Sequence, residues 1–410
     1  MVEKTANRPL AARFDSRLGV CYASTLTSEG GRMGALDKIT QVIGDHHGYA
    51  QRWRERTGGR VAGYLCTYTP EELLYAAGIL PVRVLGTHEP ENVTSPYLYG
   101  MFCTYCRDTL AQGLLGRYSY LDGLIHGYCC IHIRQTYDSW VKHAPVPFSY
   151  FLYVPDHLES PQAVPHLAKQ LEQMKVALEQ WTGQTITRQA LARAIRVYDT
   201  NRRLTQQLYD LEKQDPPLLT GVEVLKVVLS SQVMDKAEHN RLLRKLLTEV
   251  QARPAAEDSR VRLMMVASEV DDVDFVGLIE SLGATVVVDD NCVGTRYFLG
   301  EVGNSADPIT ALAVRYAQRK PLCPVKDIST RDRKRPPHVV NLASEYGAQG
   351  VVFALNKFCD PHEYDTPAII SALKTKGIPS IILECDFLNP VGQFRTRIEA
   401  FLEMIRAETL

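Results

Sequence analysis

The stretch that most constrains this chain is Gly63 to Val82, GYLCTYTPEELLYAAGILPV. Val61 to Leu65 is apolar and short, as a buried strand requires, and Cys66 stands where that strand stops. Thr69-Pro70-Glu71-Glu72 then spells a helix start, because Thr69 can cap, Pro70 suits the first helical position and Glu72 can close a capping box. Leu73, Leu74 and Ala77 give the helix an apolar face before Gly78 ends it and Ile79 to Val82 resumes extended structure. The thiol thus lies between a strand's carboxyl end and a helix's amino end, where unpaired N–H groups and the helix dipole favour a thiolate.

The same grammar returns in VVFALNKFCDPHEYDTPAIISALKTKGIPSIILECD, Val351 to Asp386. Val351 to Leu355 is the strand, Cys359 follows it, Asp360-Pro361-His362-Glu363 is a second candidate capping box, and Gly377 precedes a strand from Pro379 to Leu383. Two such units predict an α/β fold with two doubly wound parallel sheets, flavodoxin-like in kind, whose thiolates face a shared crevice at the strand ends.

Between these units the chain reads in three parts. In residues 1–155, an N-terminal α/β domain, a helix is predicted from Met33 to Arg54, an extended run from Ser95 to Phe102, strands from Tyr120 to Gly127 and Phe148 to Val154, and helices after Cys103 and Cys130. Residues 156–258 lack cysteine and show amphipathic helices over Gln162–Thr182, Arg188–Lys213, Gly221–Ser231 and Asp235–Ala252. Residues 259–410 form a C-terminal α/β domain: strands Val261–Ala267 and Thr285–Val288, helices Val273–Gly283, Pro308–Lys320 and Val339–Tyr346, and a closing helix Arg395–Arg406.

Charge and hydropathy exclude several classes. Forty-six basic against 47 acidic side chains give neither a nucleic-acid nor an anionic-membrane signature. No apolar run reaches the ~18 residues of a membrane span. The polar start, MVEKTANRPLAARFD, lacks the apolar core of a secretory signal, so the expected location is the cytoplasm and the ten cysteines are expected as thiols, metal ligands or catalytic groups. There is no G-x-x-x-x-G-K-[ST] loop, and no G-x-G-x-x-G follows a strand, so any ATP-driven step falls to another chain.

Cys66, Cys103, Cys130 and Cys359 each follow a predicted extended segment, and thiolates gathered from separate segments are what an iron–sulfur cluster needs. Other readings stay open at this level: Cys103-x-x-Cys106 as a redox pair, Cys129, Cys130 and His132 as part of a zinc site, or thiols that are small buried apolar groups. Cys21 stands alone and reads as incidental. His126, His132, His362 and Glu384, close to strand ends, are nominated as acids or bases.

Taken as an ordered set, GYLCTYTPEELLYAAGILPV, MFCTYCRDTL, DGLIHGYCCIHIR, DDNCVGTR, the Cys359 segment and GQFRTRIEAFLE resemble the family of 2-hydroxyacyl-CoA dehydratase subunits and core subunits of ATP-dependent benzoyl-CoA reductase. The resemblance implies a 4Fe-4S cluster held by three cysteines, carried over as Cys66, Cys103 and Cys359, with Cys130 in reserve because Ile131 replaces the aspartate the family often has there. Cys106 and Cys129 look like additions, and Cys292 and Cys385 are expected to line the crevice without binding iron. It also implies a homologous second core subunit, a separate iron–sulfur activator that hydrolyses ATP, and an acyl-CoA substrate. The expected activity is low-potential electron transfer to an aromatic acyl-CoA; a ketyl-radical dehydratase and a non-catalytic electron-relay subunit are the alternatives.

Overall fold

Short strands with almost unbroken apolar sequence pair into two parallel sheets of four in the computed structural model, which describes residues 33–86, 93–254, 260–319, 321–327, 332–386 and 391–409. The first sheet contains β1 (Arg60–Tyr64), β2 (Ile79–Arg83), β3 (Gly123–Gly127) and β4 (Phe148–Leu152), in the order β2-β1-β3-β4. The second contains β5 (Val261–Ala267), β6 (Ala284–Asp290), β7 (Gly350–Asn356) and β8 (Ser380–Cys385), in the order β6-β5-β7-β8. The two orders are the same. In each, the path turns outward in opposite directions from the central pair, β1 with β3 and β5 with β7, and this switch point opens a crevice at the carboxyl ends.

After α1 (Ala35–Gly44), the first sheet is accompanied by α2 (His46–Thr57), α3 (Glu71–Ala76), α4 (Thr104–Leu114) and α5 (Ile131–His143). Four longer helices follow: α6 (Ala163–Thr182), α7 (Arg188–Leu211), α8 (Gly221–Val233) and α9 (Lys236–Gln251), and α1 packs on the last two of them. The second sheet carries α10 (Val273–Ser281), α11 (Thr295–Phe298), α12 (Pro308–Val314), α13 (Arg335–Glu345), α14 (Asp360–Thr375) and α15 (Val391–Thr409). The helical segment packs on both sheets, α8 lying against β2 and β6 while α7 meets α3 and α11, so Gly34–Leu410 holds together as one unit.

Several local expectations are corrected. The helix predicted over Met33 to Arg54 is two helices, because Asp45 leaves the helical region (φ −143°, ψ 56°) and its side chain accepts from the Gly48 amide to start α2. Ser95 to Phe102 is a run of turns, with Tyr97 and Leu98 amides donating to the Thr94 carbonyl at 2.8 and 3.0 Å. Asp289 and Asp290 belong to β6 itself. The helix predicted to Lys320 passes into a π turn at Arg315–Arg319. Neither predicted capping box forms. Pro70 and Cys359 occupy the N-cap positions, Thr69 Oγ1 accepts from the Gly127 amide at 3.1 Å, and Glu72 is drawn inward.

What draws Glu72 inward is a buried ion network. Arg202 of α7 donates to Glu72 and, at 2.8 Å, to Asp199, whose other contacts are the Val302 and Gly303 amides at 3.0 and 2.9 Å. Tyr316 donates to Glu72 at 3.0 Å. Beside it, Lys236 of α9 donates to Tyr297 at 2.6 Å and lies 3.7 Å from Glu71. Burial alone would push the Glu72 carboxyl upward, but Arg202 and Arg315 outweigh it and hold it below its usual range. Removing one member of such a pair strands its partner without water. Arg202→Met is therefore expected to cost about 3–5 kcal/mol in urea unfolding, and adding Glu72→Gln to it should restore more than half of that loss.

Candidate functional site

β1 ends at Tyr64, and the chain turns at once: the Thr69 amide donates to the Cys66 carbonyl at 2.9 Å. This turn lies on the end of β3, so close that a Cβ at Gly127 would come within 2.5 Å of the Tyr68 carbonyl group. Glycine is the residue that lets β3 end there and hand the chain to Cys129 and Cys130. In the second sheet, β5 empties into Ser268 and Glu269, β6 into Asn291 and Cys292, and β7 into Cys359 through Phe358, a non-glycine residue at φ 62°. Positive φ at a phenylalanine is strained, and it is found beside the thiol it aims.

The two sets of strand ends face each other across one cavity. Cys66, Cys103, Cys106, Cys129, Cys130, Cys292, Cys323 and Cys359 all line it, and Leu65, Ile133, Val325 and Pro361 supply apolar wall. Three of the thiols are helix N-cap residues: Cys103 on α4, Cys130 on α5 and Cys359 on α14. Their sulfurs stand where the positive ends of three helix dipoles converge. Among the described residues no three His, Cys, Asp or Glu side chains are arranged to hold a single metal ion. The thiols are instead spread around the walls of one space. That distribution fits a polynuclear iron–sulfur core, which is bound through separate irons, and the donor set is the sulfur such iron prefers.

The sulfurs form a continuous run of contacts from Cys66 to Cys129, Cys130, Cys106, Cys103 and Cys359, with Cys292 and Cys323 as a separate touching pair. Hydrogen bonds from neighbouring thiols hold Cys66, Cys103 and Cys130 below the ordinary thiol range. Burial and the same hydrogen bonds push Cys106 up, and donation to Cys103 together with burial pushes Cys359 up. Positive charge stands close behind. Arg83 and Arg296 are both 1% exposed, Arg83 beside Cys66 and Cys292 and Arg296 beside Cys292 and Cys323. Arg296 is fixed by the Ser268 carbonyl at 3.0 Å and by His362 at 3.2 Å.

The candidate ligands Cys66, Cys103 and Cys359, and the reserve Cys130, are thus gathered at one cavity. Cys385 is not among them: it ends β8 and lines a neighbouring cleft with Asp108, Asp271, Asp272 and Asp386. Cys21 lies outside the described residues. Of the nominated acids and bases, His362 lines the cavity and His132 touches Cys103, its Nδ1 lying 3.4 Å from the Cys103 amide. His126 is wholly buried between Tyr137 and Phe151, and burial lowers it to about 3, so it is a neutral core residue. Glu384 points to solvent from β8. Sequence reasoning missed Cys323, Arg83, Ser268, Glu269 and Asn356; only Cys323, flanked by Pro321 and Pro324, carries a residue type that marks it out.

The chain is similar to several known proteins over most of its length. The chain is 29% identical to the (R)-phenyllactyl-CoA dehydratase beta subunit of Clostridium sporogenes, over 90% of this chain and 98% of that one. It is 28% identical to the beta subunit of the (R)-2-hydroxyglutaryl-CoA dehydratase of Acidaminococcus fermentans, over 85% and 93%, and 25% identical to a benzoyl-CoA reductase subunit of Thauera aromatica, over 81% and 87%. Residues 66–405, which contain every thiol of the cavity, match the family described as 2-hydroxyglutaryl-CoA dehydratase, D-component, and the chain belongs to that family.

Proposed function

We propose that this chain is the iron–sulfur subunit of a heteromeric acyl-CoA enzyme, in which Cys66, Cys103 and Cys359 hold a 4Fe-4S cluster and Cys130 is the alternative third ligand. The observation that carries the reading is the convergence of these thiols, Cys66, Cys130 and Cys359 from three strand–helix junctions and Cys103 from the N-cap of α4, on one cavity. A cluster bound there supplies one-electron transfer at low potential. The protein's own part is placement and protection. The N-caps of α4, α5 and α14 and the guanidinium groups of Arg83 and Arg296 offset the negative charge of several thiolates, and Leu65, Ile133 and Val325 restrict water. A recess of about 870 Å³, lined by Tyr128, Ile131, His157 and Pro361, opens beside Cys129 and Cys130 and is the side from which an acyl thioester reaches the site.

The dehydratase reading comes first: the relatives named as 2-hydroxyacyl-CoA dehydratase subunits match over most of both chains. The reductase reading, favoured from the sequence motifs, keeps support from the likeness to the Thauera benzoyl-CoA reductase. In either case the partners are a homologous second subunit, a separate ATP-hydrolysing activator and the acyl-CoA, and the enzyme is cytoplasmic. Among the described residues no helix is long and apolar enough to cross a membrane. We assign cluster binding to the domain of residues 1–155 and to the Cys359 junction of the domain of residues 259–410, joined by the helical domain of residues 156–258.

Anaerobic purification followed by iron and sulfide quantitation should give about four of each per chain. Cys66→Ser, Cys103→Ser and Cys359→Ser should each lose most of it, while Cys385→Ser keeps it. Zinc alone in the wild-type protein rejects the reading, and iron retained in Cys359→Ser but lost in Cys130→Ser moves the third ligand. With the second subunit, activator and ATP present, water loss from a 2-hydroxyacyl-CoA is the expected activity; benzoyl-CoA reduction without it reverses the order of the two readings.

A further inference from the structure

Tyr105, Glu269 and Asn356 line both the thiol cavity and the neighbouring acidic cleft, so their side chains are the wall between the two. Glu269 is the titratable carboxyl in that wall. Its side chain is 9% exposed and paired with Arg83, and Asn356 fixes its backbone by donating to the Glu269 carbonyl at 2.8 Å. Arg83 is 1% exposed and comes from the end of β2 in the opposite sheet, and its Nε and Nη1 are buried without a hydrogen-bond partner among the described residues. A cation so placed keeps its charge whatever Glu269 does, so protonating Glu269 adds one net positive charge at the thiols.

Resting on the cluster reading above, we propose that Glu269 is the proton-exchange residue of the thiol cavity. When a low-potential one-electron donor delivers an electron to the cavity while Glu269 is ionised, its carboxylate binds one proton drawn from water in the acidic cleft, and it returns that proton when the electron leaves. Arg83 is its positioning partner. The groups facing Glu269 are Arg83 from β2, Tyr105 from α4, Cys292 beyond β6 and Asp271 on its own segment, with Asp108, Asp272 and Asp386 around the cleft. Burial pushes the Glu269 carboxyl up to about 8 although Arg83 pulls it down, and Cys292 and Asp271 reinforce the rise. An added negative charge in the cavity moves it further the same way, which is the coupling the proposal needs.

The test is an EPR-monitored redox titration of the anaerobically purified protein, as it assembles in the cell, from pH 6 to 10, with iron content measured in each sample. The midpoint potential should be level at low pH and fall above about 8, approaching ~59 mV per pH unit, the tenfold value for one proton per electron. E269Q should keep its iron and show no slope, and E269D should keep the slope with a shifted onset. An unchanged slope in E269Q, an onset that does not move in E269D, or a level wild-type profile with iron present each overturns the proposal and leaves the cluster reading standing. Absence of iron from the wild type overturns both.

Discussion

The rest of the structure answers one electrostatic demand: Cys66, Cys103, Cys130 and Cys323, four sulfurs held below the ordinary thiol range, are collected around one buried cavity. Uncompensated, that concentration of charge is costly. The fold meets it with geometry first, since a parallel sheet sends each chain from strand end to helix start and so points helix amino ends at the crevice. Three of the thiols occupy those N-cap positions. Arg83 and Arg296 add full charges behind them.

Buried guanidinium groups make their own demand, and it propagates outward. Arg296 lies 3.6 Å from Asp290; Arg335 bonds both Asp290 and Asp365, and Arg333 bonds Asp365. Burial would raise the Asp290 carboxyl, yet Arg335 and Arg296 hold it far below the ordinary carboxylate range. The result is an alternating ladder of charge beneath the second sheet's strand ends. A second network, through Glu72, Arg202 and Asp199, ties α3 to α7 and to the segment before α12. The first network stays within the second sheet's part of the chain, whereas the second joins α3 of the first part to the segment before α12.

Membership of the dehydratase D-component family places this chain among subunits whose relatives are named for both dehydration and benzoyl-CoA reduction. The thiol inventory is larger than the three ligands the resemblance implies, because Cys106, Cys129, Cys292 and Cys323 share the cavity. Cys129 and Cys106 link Cys66, Cys130 and Cys103 in one run of contacts, whereas Cys292 and Cys323 form their own pair against Arg296. The extra thiols therefore fall into two structurally different kinds.

Much of the fold is legible in the sequence, because strands buried on both faces must be apolar throughout and helices must follow them. Val261 to Ala267 is read to the residue, and the Cys66 and Cys359 junctions are read as strand-to-helix turns. Local signals failed where a distant partner outbid them. Glu72 looks like a capping residue until Arg202, 130 positions away, claims it, and Thr69 serves the end of β3 instead of its own helix. Glu384, near a strand end on paper, faces solvent because β8 is an edge strand. The sequence by itself determined that Cys66, Cys130 and Cys359 stand where strands pass into helices, since that is a matter of neighbours along the chain. Only the tertiary structure decided that the two sheets face each other, that Cys323 joins the set and that Arg83 meets Glu269, because these depend on contacts between segments whose local patterns carry no record of one another.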